Sequence, residues 1–151
     1  MTKINLGSGK RKMTSFINCD NRKEVNPDVV CDAVRTLPFK TNSMTDVTAI
    51  DLIEHLERGE VIGLMNEIYR ILKPGGKFFH RTPSDEGRGA WMDPTHKSAW
   101  NINTWKFYFT HSAYRELYGT VVNFKILHLS DEWTDKENKV LHTHCLYEAI
   151  K

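Results

Sequence analysis

The chain has 151 residues, 40% of them apolar and 26% charged, with a formal net charge of +2; this is the make-up of one globular domain spanning residues 1–151, and it excludes disorder, collagen and a coiled coil. The charge is too small to imply a nucleic-acid partner, and the Lys10, Arg11, Lys12 run reads as a solvated loop. No apolar run approaches the ~18 residues of a membrane span and no leader-like segment opens the chain, while Cys19, Cys31 and Cys145 are odd in number and widely spaced, which fits a reduced, cytoplasmic protein rather than a disulfide framework.

The first segment, Lys3 to Leu6, reads as a strand running into Gly7-Ser8-Gly9. A second strand over Phe16 to Cys19 stops at Asp20, a third over Val29 to Cys31 stops at Asp32, and a fourth over Asp46 to Ile50 stops at Asp51. Parallel strands in open α/β sheets carry their ligand-binding groups at their carboxyl ends, so these stops describe one polar rim above a buried sheet. From Gly59 to Leu72, apolar residues recur at three- and four-residue steps, the mark of an amphipathic helix. Lys73, Pro74, Gly75 and Gly76 are stop signals, and "GKFFHRT" begins a fifth strand.

Pro83 to Asn103 has no clear period, and its aromatic content argues for a functional loop over disorder. Ser112 is placed to cap a short helix, "AYRELY", that ends at Gly119. "VVNFKILHL" and "VLHTHCLYEAI" flank the polar turn "TDKENK" and read as an antiparallel hairpin closing the sheet.

The opening turn is a poor phosphate grip. A P-loop needs a glycine where Ile4 stands and a hydroxyl where Arg11 stands, and the dinucleotide fingerprint needs a third glycine at Lys12. What remains is a glycine pair where backbone approaches a ligand, an acid after strand two suited to ribose hydroxyls, and an acid after strand three suited to an adenine amino group. Together they describe an adenosine without a phosphate chain.

These residues resemble those of class I S-adenosylmethionine-dependent methyltransferases. The similarity rests on "INLGSG", "INCD", "VVCDAVRTLPF", "MTDVTAIDLIEHL" and "EIYRILKPGGKFFHRTP", in that order. It implies an α/β fold with a Rossmann-like seven-stranded methyltransferase sheet, mostly parallel with a C-terminal antiparallel hairpin. It further implies S-adenosyl-L-methionine as cofactor, with Gly7, Ser8 and Gly9 against its methionine part, Asp20 on the ribose, Asp32 and the Ala33 backbone on the adenine, and Asp51 and Leu52 beside the transferable methyl. Glu54 and His55 match the family's "EHL" segment, either as a catalytic pair or as a polar cluster that orients the loop. Two departures from the family stand out. Only ten residues separate Gly9 from Asp20, so the first crossover helix is missing or reduced, and no helix precedes strand one to cover the cofactor. The cover must then come from the 83–109 region or from another subunit, a second copy or a partner, or cofactor binding is weak.

Methyl transfer needs an acceptor held in line and a base only where the acceptor loses a proton. Asp93 and His96, three residues apart in "WMDPTHK", are candidates for an orienting acid and a general base, with His55 beside them as a third catalytic candidate. Trp91, Trp100, Trp105 and Tyr108 are candidates either to flank the sulfonium or to pack as lid residues. His80 and Arg81 are candidates to line the acceptor cleft. His142, His144 and Cys145 offer half a metal site at most, and no bound metal is expected. The acceptor is read as a small molecule or a sugar-like hydroxyl or amine, with neither membrane nor nucleic acid as partner. Two rival readings are a non-catalytic cofactor-binding module that partners an active subunit, and a binder of nucleotide phosphates.

Overall fold

A computed structural model describes residues 1–151. Seven strands form one sheet in the order β3-β2-β1-β4-β5-β7-β6. They are β1 (Lys3–Leu6), β2 (Ile17–Asp20), β3 (Val29–Val30), β4 (Met44–Ile50), β5 (Leu72–Pro83), β6 (Phe124–Asp135) and β7 (Val140–Ala149). The first five run parallel, and β7 enters antiparallel between β5 and β6. This is the Rossmann-like arrangement with its closing hairpin.

The helix α1 (Arg58–Ile71) forms where the apolar period places it, but it ends differently from expectation. Leu72 turns to extended backbone (φ −65°, ψ 142°) and already pairs with Met44, so β5 begins before the Lys-Pro-Gly-Gly segment instead of after it. The next pair in register is Asp46 with Lys77, so residues 73–76 bulge out between the two rungs, with Gly75 at φ +74°.

The helices cover only one face of the sheet. Ile4, Leu6, Val47, Phe78 and Tyr147 point toward Val61, Leu64, Met65, Ile68 and Ile71 of α1 and Trp105 of α3 (Ile102–Phe107), all within one buried apolar cluster. Alternate strand positions face the other way and carry Asn5, Asn18, Asp46, Thr48, Arg81 and His144. Parallel sheets usually need helices on both faces; here a polar second face replaces the second helical layer.

The crossovers are built to match. Residues 7–16 join β1 to β2 with no helix. Asn5 and Asn18, opposite each other in register, stand in for one. The Asn5 amide donates to the Arg11 carbonyl and to Asn18 Oδ1, each at 3.0 Å, and Asn18 Oδ1 accepts the Met13 N–H at 2.8 Å. The second crossover holds only a 3-10 turn (Lys23–Val25). The third, after β3, is pinned by α1: Arg70 donates to the carbonyls of Phe39 and Leu37 at 2.8 and 3.0 Å, while Glu67 accepts the Leu37 N–H at 2.8 Å.

The 83–103 stretch is ordered around α2 (Gly89–Met92), and α3 follows it, capped by the Asn101 side chain. In α4 (Ser112–Tyr118), His111 is the residue before the helix and Ser112 its first residue, so Ser112 does not cap it; Gly119 ends it at φ +66°. No helix is long and apolar enough to cross a membrane.

Candidate functional site

The carboxyl ends of β1, β2 and β4 and the loop after β3 surround a cavity of about 500 Å³, lined among others by Gly7, Asp20, Asp32, Ala33, Asp51, Leu52 and His55. Six of the eight cofactor-binding candidates therefore share one hollow. The other two, Ser8 and Gly9, line a second hollow of about 520 Å³ on the far side of the glycine turn, and the two meet at Gly7, Arg22 and Asp51.

Each wall follows from local chemistry. Gly7 sits at φ +67°, and a Cβ there would stand 2.8 Å from Leu52 Cδ1, so the turn needs glycine for conformation and for space. The Ser8 hydroxyl is buried without a hydrogen-bond partner. Asp20 accepts the Gly9 N–H at 2.7 Å and the Arg22 N–H at 3.0 Å, and Arg22 Nε lies 3.1 Å away. Burial alone would raise this carboxyl, but the Arg22 and Gly9 hydrogen bonds outweigh it and hold Asp20 below the usual carboxylate range. Asp32 accepts the Val34 N–H and pairs loosely with Arg35. Asp51, a non-glycine at φ +53°, lies against Arg81 through two hydrogen bonds, with Arg11 at 3.6 Å and His142 at 3.5 Å.

At the far end of the cavity, His55, Thr95 and Lys97 line the wall. Asp93 accepts from the Thr95 hydroxyl at 2.6 Å and the Thr95 N–H at 2.8 Å, which hold it below its usual range. With its proton committed to Asp93, the Thr95 oxygen accepts from His55 Nδ1 at 3.1 Å. Asp93 thus orients His55 through Thr95 and makes no hydrogen bond to the His96 ring. His96 Nδ1 donates to the Ala90 carbonyl at 2.8 Å, and its ring meets His55 edge-on with centroids 4.9 Å apart. Both rings therefore carry hydrogen on Nδ1, and Nε2 is the nitrogen on each that makes no hydrogen bond within the chain.

Glu54 stands behind them, 1% exposed, with neither carboxylate oxygen hydrogen-bonded. Burial, with the negative charges of Asp51 and Asp93 adding to it, pushes its carboxyl up to about 8.

Other candidates fall elsewhere. His80 lies in the core with its ring 4.2 Å from that of Trp105, away from any cleft. Arg81 faces Asp51 on the second hollow. Trp100 and Trp105 are buried core residues, Tyr108 stacks on Tyr114, Trp91 is 65% exposed, and none of the four lines the cavity. Trp100, Trp105 and Tyr108 are hydrophobic packing on the helix-bearing face, while Trp91 stays exposed. His142 and His144 share the polar face, and Cys145 is buried on the other, as the strand period requires. Arg22, Thr95 and the burial of Glu54 had no signature in the sequence; only "DPTH" hinted at the loop that holds Thr95.

A seven-stranded sheet of this order, with an acid-rimmed hollow at its carboxyl edge, defines a Rossmann-like nucleoside-binding α/β protein. Residues 10–80 match the family model described as a methyltransferase domain. That match and the fold together make the chain similar to class I S-adenosylmethionine-dependent methyltransferases. Among solved structures it is similar to a Haloferax volcanii protein described as a methyltransferase, in complex with the Trm112 methyltransferase activator, at 15% identity, TM-score 0.72, covering 99% of this chain and 82% of that one. It also resembles S-adenosylmethionine-dependent methyltransferases from Archaeoglobus fulgidus, at 15% identity, TM-score 0.67 and coverage of 97% and 85%, and Methanosarcina mazei, at 14%, 0.69 and coverage of 99% and 92%. Among curated protein sequences none matches.

Proposed function

We propose that residues 1–151 work as one unit that binds S-adenosylmethionine and transfers its methyl group to a small acceptor, such as a sugar-like hydroxyl or an amine. One observation carries this reading. The cavity wall holds Asp20, Asp32, Asp51 and Glu60 against the cations Arg22 and Lys97, and Arg22 is already committed to Asp20. Four carboxylates repel a phosphate chain but suit ribose hydroxyls, an adenine amino group and the positive charges of a sulfonium and an α-amino group.

In this reading Asp20 holds the ribose, exchanging part of its Arg22 contact for hydroxyl donors, while Asp32 and the Ala33 backbone read the adenine. Gly7, Ser8 and Gly9 leave room for the methionine part, and its carboxylate is drawn to the second hollow, where Lys10, Arg11, Lys12, Arg22 and Arg81 face one acid, Asp51. Leu52 and Asp51 flank the methyl. The cofactor supplies an activated methyl, so the chain's own task is mainly to position the acceptor and exclude water. Where the acceptor must lose a proton, the free Nε2 atoms of His96 and His55 are the bases, with Asp93 setting the His55 ring through Thr95.

Calorimetry with S-adenosylhomocysteine tests the binding half: wild type binds one equivalent, and Asp20→Ala abolishes binding while keeping its fold. Methyl-release assays over an acceptor panel test the other half, with His96→Ala sparing cofactor binding and lowering turnover. Retained affinity in Asp20→Ala overturns the assignment of the cavity. A second reading, a cofactor-binding module serving an active subunit, has one motive: the helix-poor β1–β4 half leaves the site with little cover. The Haloferax relative was solved with an activator protein. Binding of S-adenosylhomocysteine without turnover on any acceptor would favour it.

A further inference from the structure

We propose that Glu54, His55 and His96 form a binding site for a divalent transition-metal cation at the acceptor end of the cavity. One donor atom from each lies within 4.8 Å of the others. Glu54 is nearly fully buried yet has no hydrogen-bond donor on either oxygen. Both of its oxygens are left without a partner and it forms no ion pair with a lysine or arginine, so a bound cation would supply the partner that an ionised carboxylate needs in such a place.

The histidines are prepared for the role. His96 donates Nδ1–H to the Ala90 carbonyl and His55 donates Nδ1–H to Thr95, itself anchored by Asp93. A ring that donates its other N–H to a carbonyl or to an anchored oxygen is the usual outer support of a metal-bound imidazole, because it fixes the tautomer and the ring plane. Ligand bonds of about 2.0–2.2 Å require the three donors to close in from their present spacing. His55 and His96 are only partly buried and can make that adjustment.

Two imidazoles and one carboxylate suit zinc, manganese, cobalt or ferrous iron over magnesium or calcium, which prefer oxygen donors throughout. Three protein ligands leave coordination positions open, and because the two Nε2 lone pairs are then on the ion, the histidines act as bases only in the metal-free protein. His55 lines the cavity, so an open position would face the space assigned above to the acceptor and would hold it through an oxygen atom. Only this last step rests on the proposed function; the cation site stands without it.

The test uses the whole chain, stripped with a chelator and titrated with Zn2+ by calorimetry and with Co2+ by its visible absorption. One ion per chain is expected. His96→Ala, His55→Ala and Glu54→Gln should each weaken it at least tenfold, Thr95→Val should weaken it roughly tenfold by freeing the His55 ring, and His128→Ala, on β6 and bonded to Ser130, should leave it unchanged. Absence of binding overturns the site, as does an ion whose affinity survives both His96→Ala and His55→Ala. S-adenosylhomocysteine binding to the metal-free protein is measured beside it. Cofactor binding with no metal uptake refutes the cation site alone, and metal uptake with no cofactor binding refutes the methyltransferase reading alone.

Discussion

Gly7 is the residue on which the cavity turns. Its φ of +67° and the 2.8 Å approach of a Cβ to Leu52 make Gly7→Ala unfavourable twice over. The strained backbone costs about 1–2 kcal/mol, and Leu52, the flexible partner, is pushed into the hollow it lines. Urea unfolding should report that loss and calorimetry a weaker affinity for S-adenosylhomocysteine; a variant with unchanged affinity would show that Leu52 does not face the ligand. At the same scale, His80 is buried among Trp105, Phe78 and Tyr147 and is pushed down to about 3 by desolvation. In the unfolded chain it titrates near 6.5. Below that pH the unfolded state takes up a proton that the folded state refuses, so stability falls as pH drops from about 6.5 toward 3, by up to ~1.4 kcal/mol per pH unit. His80→Leu should flatten the slope of unfolding free energy between pH 6.5 and 5; an unchanged slope would mean that the imidazole is reached by water.

Helices are scarce in the β1–β4 half, and side-chain hydrogen bonds do their work. The Asn5–Asn18 pair satisfies the backbone of the first crossover, and the Glu67–Arg70 pair on α1 holds the third. Arg70→Met removes a guanidinium that donates to two carbonyls and to Glu67, with a loss of about 2–3 kcal/mol expected in urea unfolding. Arg70→Lys should not restore it, because a point ammonium cannot bridge both carbonyls and the carboxylate together. A loss below about 0.5 kcal/mol would show that the loop is held by apolar packing of Leu37 instead.

The molecule as a whole sets its sheet between a helical face and a polar one, and concentrates acid at the carboxyl edge. S-adenosylhomocysteine at a hundredfold its Kd should add about 2.7 kcal/mol to the folded state, which for a chain of this size is a rise in Tm of roughly 5–10 °C. ATP and NAD should give none, since the turn after β1 lacks the glycine and the hydroxyl of a phosphate grip, with Ile4, Arg11 and Lys12 in their places. Stabilisation by ATP with none from S-adenosylhomocysteine would return the site to the phosphate binders.

The succession of strands along the chain and the polar stops after β1 to β4 were legible in the sequence because they are local: a β-period, a glycine turn or an acid at a strand end is written in a few neighbouring residues. So was the missing first helix, from the ten residues between Gly9 and Asp20. Only the tertiary structure decided the burial of Trp100, Trp105 and His80, the capture of Asp51 by Arg81, and the meeting of Glu54 and His55 with His96 about forty positions away. Those depend on which face of the sheet lacks helices and on how the loop after β5 folds back, and such long-range packing leaves no short-range trace in the order of residues.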